Sequence, residues 1–331
     1  MLVDASALPN GREGNRIAGV QGPSYVLTAP RSTHTPPVMP RSIRARVAVS
    51  SILLLVALPL GAQQVPAAVF TDPPHDAQHP ARMEVLHIPS GGVNINGVAY
   101  LAAGAGAHPT FLLLHGLPGN EKNLDLAQAV RRAGWNAITF NYRGSWGSPG
   151  SFRFAQNLED ADAVLAFLRD PANAKSLGID TTHLVLGGHS MGGWVTVRTA
   201  AHQHGLRGAV LISAADMAPR AGAARDTVAA HMATDMESLS GTSPLQMADE
   251  VMAHSATWNF ATAYAGLANT PMLVVTSNDG LAPANDALVA AVRALGNTRV
   301  TAVHFDTDHS YSDRRIALES AVIRWLQALP K

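Results

Sequence analysis

Short apolar runs alternate with helical patterns along the chain from residue 83 onwards. Met83–Ile88 and Val93–Leu101 predict two leading antiparallel strands, because Gly91 and Gly92 between them form a turn signal. After these, apolar strands are separated by amphipathic segments such as Asn123–Arg132, where apolar residues recur every three or four positions. This alternation predicts an α/β fold, with a mostly parallel central sheet flanked by helices on both faces.

The remaining predicted strands are short, apolar and followed directly by polar residues. They are Thr110–Leu114, Asn136–Tyr142, the run from Leu184, Gly208–Ser213, Pro271–Thr276 and Val300–Phe305. Because the carboxyl ends of parallel strands meet at one edge of a sheet, the polar residues that follow them are expected to form the functional site.

The alternation is interrupted between Asp216 and Asn269, where the segment is rich in alanine and methionine. A structureless loop of that length is improbable in a compact domain. Helical patterns near Ala223–Met236 and Leu245–His254 predict a small helical cap at about residues 216–269, inserted over the strand ends. Two roles are open for its methionines, which either line an apolar pocket or pack the cap's own core.

The N-terminal part has a different pattern. Residues 1–38 lack periodicity and are predicted to be disordered. Three arginines then precede the apolar run Val47–Leu60, which is shorter than the roughly 20 residues that span a bilayer. Residues 39–62 are therefore expected to be a signal peptide cleaved after Ala62, with Met39 as the true start and 1–38 a mis-assigned extension. The alternative is an uncleaved membrane anchor. Residues 63–82 are expected to be a linker before a domain at 83–331.

Composition narrows the function classes. The 331 residues are 47% hydrophobic and carry a formal net charge of zero, which argues against nucleic acid as a partner. The chain contains no cysteine, which excludes disulfides, thiolate nucleophiles and cysteine-bound zinc.

The strongest chemical motif is Gly188-x-Ser190-x-Gly192, at the end of the apolar run from Leu184. A serine on a strained strand-to-helix turn is lifted above a parallel sheet, and glycines two residues away avoid clashes. The following helix directs its N-terminal N–H groups at the site. In a chain with 28 glycines the motif alone is a weak signal, so its weight depends on partners elsewhere.

Two such partners follow later strands. Asp279 comes after Pro271–Thr276 and suits an acid that orients a histidine, and His309 comes after Val300–Phe305. Asp306 and Asp308 are rivals for the acid. The loop from His115 to Gly119 follows the strand expected to supply a backbone N–H to an oxyanion hole. Arg143 and Trp146 stand at another strand end, where they either line the site or stabilise its loop. His189 is expected to point away from the serine and to pack.

From about Met83 to its C-terminus the chain resembles the α/β-hydrolase superfamily, and most of all exported bacterial serine hydrolases related to dienelactone hydrolases and acylaminoacyl peptidases. The motifs that carry the resemblance are His115-Gly-x-Pro-Gly, Asn141-Tyr-Arg-Gly, Gly188-His-Ser-Met-Gly-Gly, Asp279-x-x-x-Pro283, and Asp308-His309 before the last helix. A serine nucleophile separates the chain from the dehalogenase and epoxide-hydrolase branches, which carry aspartate there.

The resemblance implies that Ser190 is the nucleophile, His309 the base and Asp279 the acid, and that the N–H groups of Leu117 and Met191 form the oxyanion hole. It implies no metal and no organic cofactor. We expect a periplasmic or secreted carboxylesterase that acts on small-molecule esters with short to medium acyl chains, without stable membrane association after signal cleavage. A serine peptidase and a non-catalytic binding protein on the same scaffold are the alternatives.

The signal-peptide interpretation is tested by expressing the chain from Met39 in a bacterium. We expect the protein in the periplasm with its N-terminus at or near Gln63, because signal peptidase removes the apolar segment. N-terminal sequencing and cell fractionation measure both outcomes. An intact Val47–Leu60 segment in the membrane fraction would favour the anchor instead, and residues upstream of Met39 in native material would contradict the start site.

Overall fold

The computed structural model describes residues 64–217, 222 and 224–330. The predicted extension at 1–38 and signal peptide at 39–62 lie outside these residues. Within the described part, no helix combines the length and hydropathy needed to cross a membrane.

One sheet of eight strands forms the centre of the described chain, in the spatial order β1-β2-β4-β3-β5-β6-β7-β8. β1 and β2 pair antiparallel, β2 pairs antiparallel with β4, and every pairing from β4 onwards is parallel. The strands are β1 (Arg82–Ser90), β2 (Val93–Leu101), β3 (His108–Leu114), β4 (Asn136–Phe140), β5 (Ile179–His189), β6 (Leu206–Ile212), β7 (Met272–Thr276) and β8 (Val300–His304). This arrangement confirms the predicted fold class.

Helices cover both faces of the sheet. They are α1 (Leu124–Arg132), α2 (Phe154–Arg169), α3 (Pro171–Leu177), α4 (Met191–Ala200), α5 (Arg225–Met232), α6 (Pro244–Ala253), α7 (Ser255–Trp258), α8 (Ala282–Ala294) and α9 (Arg315–Ala328). Apolar residues of α1 and α9 share one buried cluster with one face of the sheet, whereas those of α2, α4 and α8 share the cluster on the other face. The sheet is therefore the middle of three layers. Its strands have continuous apolar sequences because both faces of the sheet are buried.

The helical insertion lies where the apolar alternation stops. α5, α6, α7 and 3-10 turns at Ala233–Asp235 and Phe260–Leu267 occupy the chain between β6 and β7. Met232 and Met247 are fully buried and belong to the apolar cluster that includes α5 and α6, so these two methionines pack the insertion's core. Helices α3 and α8 are additions to the predicted elements.

The strand order creates one place suited to a site. In the sheet β3 lies between β4 and β5, so the chain moves to one side of β3 to form β4 and to the other side to form β5. Ligands of open α/β sheets bind at such a reversal, beyond the carboxyl ends of the strands. The segments that follow β3, β5, β6, β7 and β8 meet along this edge, and these segments hold the predicted site residues.

A buried ion pair stabilises the loop after β4. The Arg143 Nε donates to Asp160 Oδ1 at 2.6 Å, and the Arg143 backbone N–H donates to Asp160 Oδ2 at 2.8 Å. Asp160 is fully buried, and burial raises its pKa although the hydrogen bonds from Ser90 and Arg143 oppose this shift. The Trp146 indole N–H donates to the Pro118 carbonyl at 2.7 Å. Of the two roles open for Arg143 and Trp146, these contacts favour stabilising the loops.

Candidate active site

Ser190 occupies a strained turn between β5 and α4. Its backbone angles are φ 57° and ψ −120°, a combination that costs energy for any residue with a side chain. The surrounding backbone fixes this conformation, because the Ser190 N–H donates to the Ile212 carbonyl at 3.0 Å and its carbonyl accepts the Ala215 N–H at 3.0 Å. The turn therefore has the geometry of a nucleophile elbow.

Glycines at the flanks of the turn are required by the close approach of three elements. A Cβ on Gly188 would lie 2.2 Å from the Gly192 carbonyl oxygen, and a Cβ on Gly192 would lie 2.3 Å from the carbonyl oxygen of Leu114. Both distances are below any normal contact. The glycine spacing predicted from the motif thus corresponds to a real packing constraint, which brings β5, α4 and the end of β3 together.

Two backbone N–H groups are available beside Ser190. Met191 is the first residue of α4, so its N–H has no acceptor within the helix. The loop after β3 passes close by, since a Cβ on Gly116 would lie 2.9 Å from the Ser190 Cβ. Among the residues that the structure describes, no hydrogen bond uses the N–H of Leu117 or Met191. These two donors are the ones expected to hold an oxyanion.

The loop that carries Leu117 is braced by a neutral histidine. Nδ1–H of His115 donates to the Gly116 carbonyl at 2.7 Å, and the ring packs edge-on against Tyr142 with centroids 4.8 Å apart. Burial lowers the pKa of His115 to about 4, although the contact with Gly116 opposes this shift. The imidazole is therefore uncharged near neutral pH and acts here as a packing residue.

His309 and Asp279 form the second half of the site. The His309 Nδ1 lies 2.7 Å from Asp279 Oδ2. The Asp279 side chain is 5% exposed, whereas that of His309 is 40% exposed. Because an ionised carboxylate can only accept a hydrogen bond, the proton of a neutral His309 imidazole lies on Nδ1, which leaves the lone pair on Nε2. This tautomer is the one that a general base requires.

Hydrogen bonds keep Asp279 ionised despite its burial. Burial alone would raise the pKa of the carboxyl, but donors from His309, Ser213, the Leu281 N–H and Ser277 lower it well below its usual range. The hydroxyl groups are part of a buried cluster in which Ser213 Oγ lies 3.0 Å from Ser277 Oγ and 2.9 Å from the Tyr311 hydroxyl. The carboxylate is thus fixed by groups that follow three different strands.

Ser213 and Tyr311 are functional candidates that sequence reasoning missed. Both have positive φ, at 42° and 58°, which is strained for residues other than glycine. The Tyr311 hydroxyl also lies 3.2 Å from the Val275 carbonyl. Their positions in the sequence could have indicated these two residues. Ser213 follows β6 just as Ser190 follows β5, and Tyr311 stands two residues after His309.

His189 packs, as expected, but it packs against the candidate base. The rings of His189 and His309 have centroids 4.5 Å apart, and the His189 Nε2 donates to the backbone carbonyl of His309 at 2.8 Å. Burial and the nearby His309 lower the pKa of His189 to about 3, so the ring is neutral at ordinary pH. His189 therefore supports the loop that carries His309, through a contact that the spacing of the motif does not reveal.

The rival carboxylates have other contacts. Asp306 accepts a hydrogen bond from the Asn278 side-chain amide. Asp308 accepts the backbone N–H groups of Ser310 at 3.1 Å and Ser312 at 2.9 Å, which shapes the loop around His309. Of the three acids considered from the sequence, the structure places Asp279 against the imidazole.

Ser190 and His309 line one cavity of about 150 Å³, together with the loop from Gly116 to Glu121. In the described part of the chain the Ser190 hydroxyl makes no hydrogen bond to His309. In unliganded enzymes such contacts are often long and tighten when substrate binds. A larger cavity of about 910 Å³ lies between β8 and α9, but Ser190, His309 and Asp279 do not line it. The candidate site is therefore identified by its reactive side chains and not by the size of its cavity.

The described residues include no cluster of three or more histidine, aspartate or glutamate side chains arranged to hold a metal ion.

Comparison with known proteins supports the fold. Residues 111–328 match a family model described as "Alpha/beta hydrolase family". The comparison with curated protein sequences finds no match. Among solved structures, an esterase from Pyrobaculum calidifontis superposes with a TM-score of 0.59 at 18% identity, over 76% of this chain and 88% of that chain.

Two further structures extend the comparison. Fungal esterases from Rhizomucor miehei match with a TM-score of 0.57 at 18% identity, over 80% of this chain and 86% of that chain. An acylaminoacyl peptidase from Pyrococcus horikoshii matches with a TM-score of 0.56 at 14% identity, over 76% of this chain and 42% of that chain. At these identities the likeness concerns the fold alone.

The assignment of the acid is tested by three single substitutions. Asp279→Asn is expected to lower kcat for a nitrophenyl ester by about 10⁴-fold, because an amide favours the wrong imidazole tautomer. Asp306→Asn and Asp308→Asn serve as matched controls and are expected to change kcat by less than about tenfold. Steady-state kinetics of the three purified variants provide the comparison. A larger loss in Asp308→Asn than in Asp279→Asn would show the assignment to be wrong.

Proposed function

Because the chain belongs to the alpha/beta hydrolase family, we propose that it is a serine hydrolase that cleaves carboxylic esters through an acyl-enzyme on Ser190. His309 is the base and Asp279 the acid of this mechanism. The observation that carries the proposal is the convergence of a strained serine, two unused backbone N–H groups and a histidine–carboxylate pair at one edge of the sheet.

In the first half-reaction the Ser190 oxygen attacks the carbonyl carbon of the ester, and its proton passes to the His309 Nε2. Negative charge develops on the carbonyl oxygen, where the N–H groups of Leu117 and Met191 stabilise it. One such donor is typically worth about 3 kcal/mol in the transition state. Asp279 stays ionised, holds the imidazole in place and stabilises the imidazolium that forms.

Collapse of the tetrahedral intermediate breaks the bond to the alcohol oxygen, which takes the proton from His309. The acyl group remains on the Ser190 oxygen. In the second half-reaction a water molecule gives its proton to His309 and attacks the acyl carbonyl. The carboxylic acid then departs, and the proton returns to Ser190.

Contacts of three acidic side chains in the helical insertion favour ester over peptide substrates. A peptidase that recognises a free amine needs carboxylates that are available to the substrate. Here Asp249 pairs with Arg225 at 2.5 Å, and Glu237 accepts a hydrogen bond from Asn120 at 2.9 Å. Glu250 accepts the N–H groups at the start of α2, at 2.8 and 3.0 Å. These three carboxylates are thus already used in structural contacts, which supports the esterase over the peptidase alternative.

The proposal includes export to the periplasm or the medium. It rests on the arginines and the apolar run in residues 39–62, and the fractionation experiment above tests it.

The nucleophile is tested with Ser190→Ala. Ester turnover should fall by at least about 10³-fold, because the acyl-enzyme no longer forms. A fluorophosphonate probe should label the wild-type protein on Ser190, as located by peptide mass spectrometry, and should not label the variant. Ser176→Ala, an exposed serine of α3, is the matched control and should keep both properties. Turnover in Ser190→Ala above a few per cent of wild type, in a folded protein, would exclude this mechanism, and absence of labelling would favour the non-catalytic binding protein.

The bond cleaved is tested by assaying nitrophenyl esters beside aminoacyl and dipeptidyl nitroanilides under the same conditions. We expect kcat/KM for the best ester to exceed that for every nitroanilide by at least about 10²-fold. An amide is harder to cleave because its amine must be protonated as it departs and its resonance is lost. A nitroanilide that equals the best ester would reverse the preference and support the peptidase.

A further inference from the structure

Arg315 joins the two loops that flank Ser190. It is the first residue of α9, and its guanidinium contacts both the loop after β8, which carries His309, and the start of α1. The Arg315 Nη1–H groups donate to the Ser310 carbonyl and to the Asn123 Oδ1, both at 3.0 Å. The mechanism proposed above does not use this arginine, although Ser310 directly follows the proposed base.

Asp125 fixes the orientation of the guanidinium. The Nε and Nη2 of Arg315 donate to the two carboxylate oxygens of Asp125 at 2.8 and 2.5 Å, which makes a bidentate pair. With the plane set in this way, Nη1 faces the Ser310 carbonyl and Asn123. Because a guanidinium presents its donors in a rigid fork, one side chain meets three acceptors at once. A lysine ammonium on a flexible chain does not reproduce this arrangement.

Asn123 depends on the contact with Arg315. It is buried and lies in the left-handed region, at φ 55° and ψ 41°, where the loop after β3 turns into α1. Its N–H donates to Glu121 Oε1 at 2.6 Å, and its carbonyl accepts the Ala127 N–H at 3.0 Å. A buried amide oxygen without a donor costs free energy, and Arg315 supplies that donor. The arginine therefore stabilises the end of the loop that carries Leu117.

Two consecutive carbonyl groups of the loop after β8 are each bonded by a side chain from another element. The His309 carbonyl accepts from His189 Nε2 at 2.8 Å, and the Ser310 carbonyl accepts from Arg315. The next residue, Tyr311, has φ 58°, and such strain persists only where surrounding contacts maintain it. These bonds therefore set the path of the backbone at His309, and with it the position of the imidazole.

Arg315 also compensates buried negative charge. Glu319 is 6% exposed, and burial and the neighbouring Asp125 raise the pKa of Glu319 to about 7, whereas Arg315 and Arg132 oppose this rise. Loss of either arginine therefore leaves the two carboxylates less compensated. Arg132, however, donates to carbonyl groups of the 3-10 turn at Ala67–Val69 and not to the loop after β8. Comparing the two arginines thus separates charge compensation from the contact with the histidine loop.

We propose that Arg315 is a positioning residue for the proposed base. By bonding the Ser310 carbonyl to the start of α1, it holds the loop of His309 against the loop of Leu117. The imidazole and the oxyanion donors then keep a fixed separation on either side of Ser190. Arg315 acts through the backbone and does not touch the ester. This role rests on the proposed function, because it takes His309 as the base and Leu117 as an oxyanion donor.

The first test replaces Arg315 by glutamine and by lysine. In Arg315→Gln, kcat for a nitrophenyl ester should fall roughly 10- to 100-fold with KM within about threefold of wild type, since a displaced base affects the transition state more than substrate binding. Arg315→Lys keeps the charge but does not bond Asp125 and Ser310 together, so its kcat should stay closer to that of Arg315→Gln than to wild type. A kcat within about twofold of wild type in Arg315→Gln would overturn the positioning role.

Two other arginines provide matched controls. Arg314 is adjacent in sequence and pairs with Asp313 at 2.9 Å, so Arg314→Gln removes a charge beside the same loop. Arg132→Gln removes the other arginine that opposes the raised pKa of Glu319. Both variants should keep kcat within about twofold of wild type. A loss in Arg132→Gln as large as that in Arg315→Gln would assign the effect to charge compensation and would contradict the positioning role.

Chemical rescue distinguishes positioning from general damage to the fold. Truncation in Arg315→Ala leaves room for a free cation, so added guanidinium, at concentrations far below those that unfold proteins, should raise kcat at least about threefold. Methylammonium carries the same charge without the planar fork and should leave kcat unchanged. Circular dichroism verifies that the variant is folded under both conditions. Equal effects of the two cations would contradict the role assigned to the guanidinium geometry.

Backbone hydrogen exchange measures the coupling of the two loops without any turnover. In Arg315→Gln, peptides that cover residues 306–314 and 117–126 should both exchange faster than in wild type, because both loops lose a shared contact. Arg314→Gln should leave exchange in residues 117–126 unchanged. Mass spectrometry of the deuterated peptides provides the comparison. Unchanged exchange in either loop of Arg315→Gln, or equal acceleration throughout the domain, would contradict the coupling.

Labelling of wild-type Ser190 by a fluorophosphonate separates this role from the proposed function. A labelled wild-type protein whose Arg315→Gln variant keeps its kcat retains the proposed function and loses the positioning role. A wild-type protein with neither labelling nor ester turnover loses the proposed function and, with it, the role of Arg315 in catalysis.

Discussion

The close packing of backbone around Ser190 is the constraint on which the rest of the site depends. A serine at φ 57° is strained, and the strain is maintained because its N–H and carbonyl are bonded to the segment that follows β6. Gly188 and Gly192 let β5, α4 and β3 approach within distances that a Cβ would prevent. The same approach places the N–H of Met191 and the loop with Leu117 beside the serine. The proposed nucleophile and the proposed oxyanion donors are therefore positioned by the same close packing.

The second requirement is a buried carboxylate that stays charged. Burial penalises the ionised form of Asp279, and four donors outweigh that penalty. Two of these donors, Ser213 and Ser277, follow β6 and β7, so the sheet's own register places them. Tyr311 links the hydroxyl cluster to the loop of His309, and His189 donates a hydrogen bond to the backbone carbonyl of His309. The proposed base, His309, is therefore oriented by hydrogen bonds that are strengthened by the exclusion of water.

The proposed catalytic geometry and the substrate preference have different structural origins. The sheet edge supplies Ser190, His309 and Asp279, whereas one fold can serve a wide range of substrates. The walls beyond Ser190 come from α2, from the segment after β6 and from the loop after β3. The substrate preference of the proposed hydrolase is therefore set by these three segments rather than by the sheet edge.

The sequence alone determined the fold class and identified Ser190, Asp279 and His309 as candidate site residues, because apolar periodicity and polar residues at strand ends are local signals. It also predicted a helical insertion where the alternation stopped. It left open which of three aspartates meets His309, and whether Arg143 lines the site. Only the tertiary structure decided these, together with the contact between His189 and His309. Such contacts join residues that are far apart in the chain, and their distances depend on how strands register and side chains pack, which no local pattern encodes.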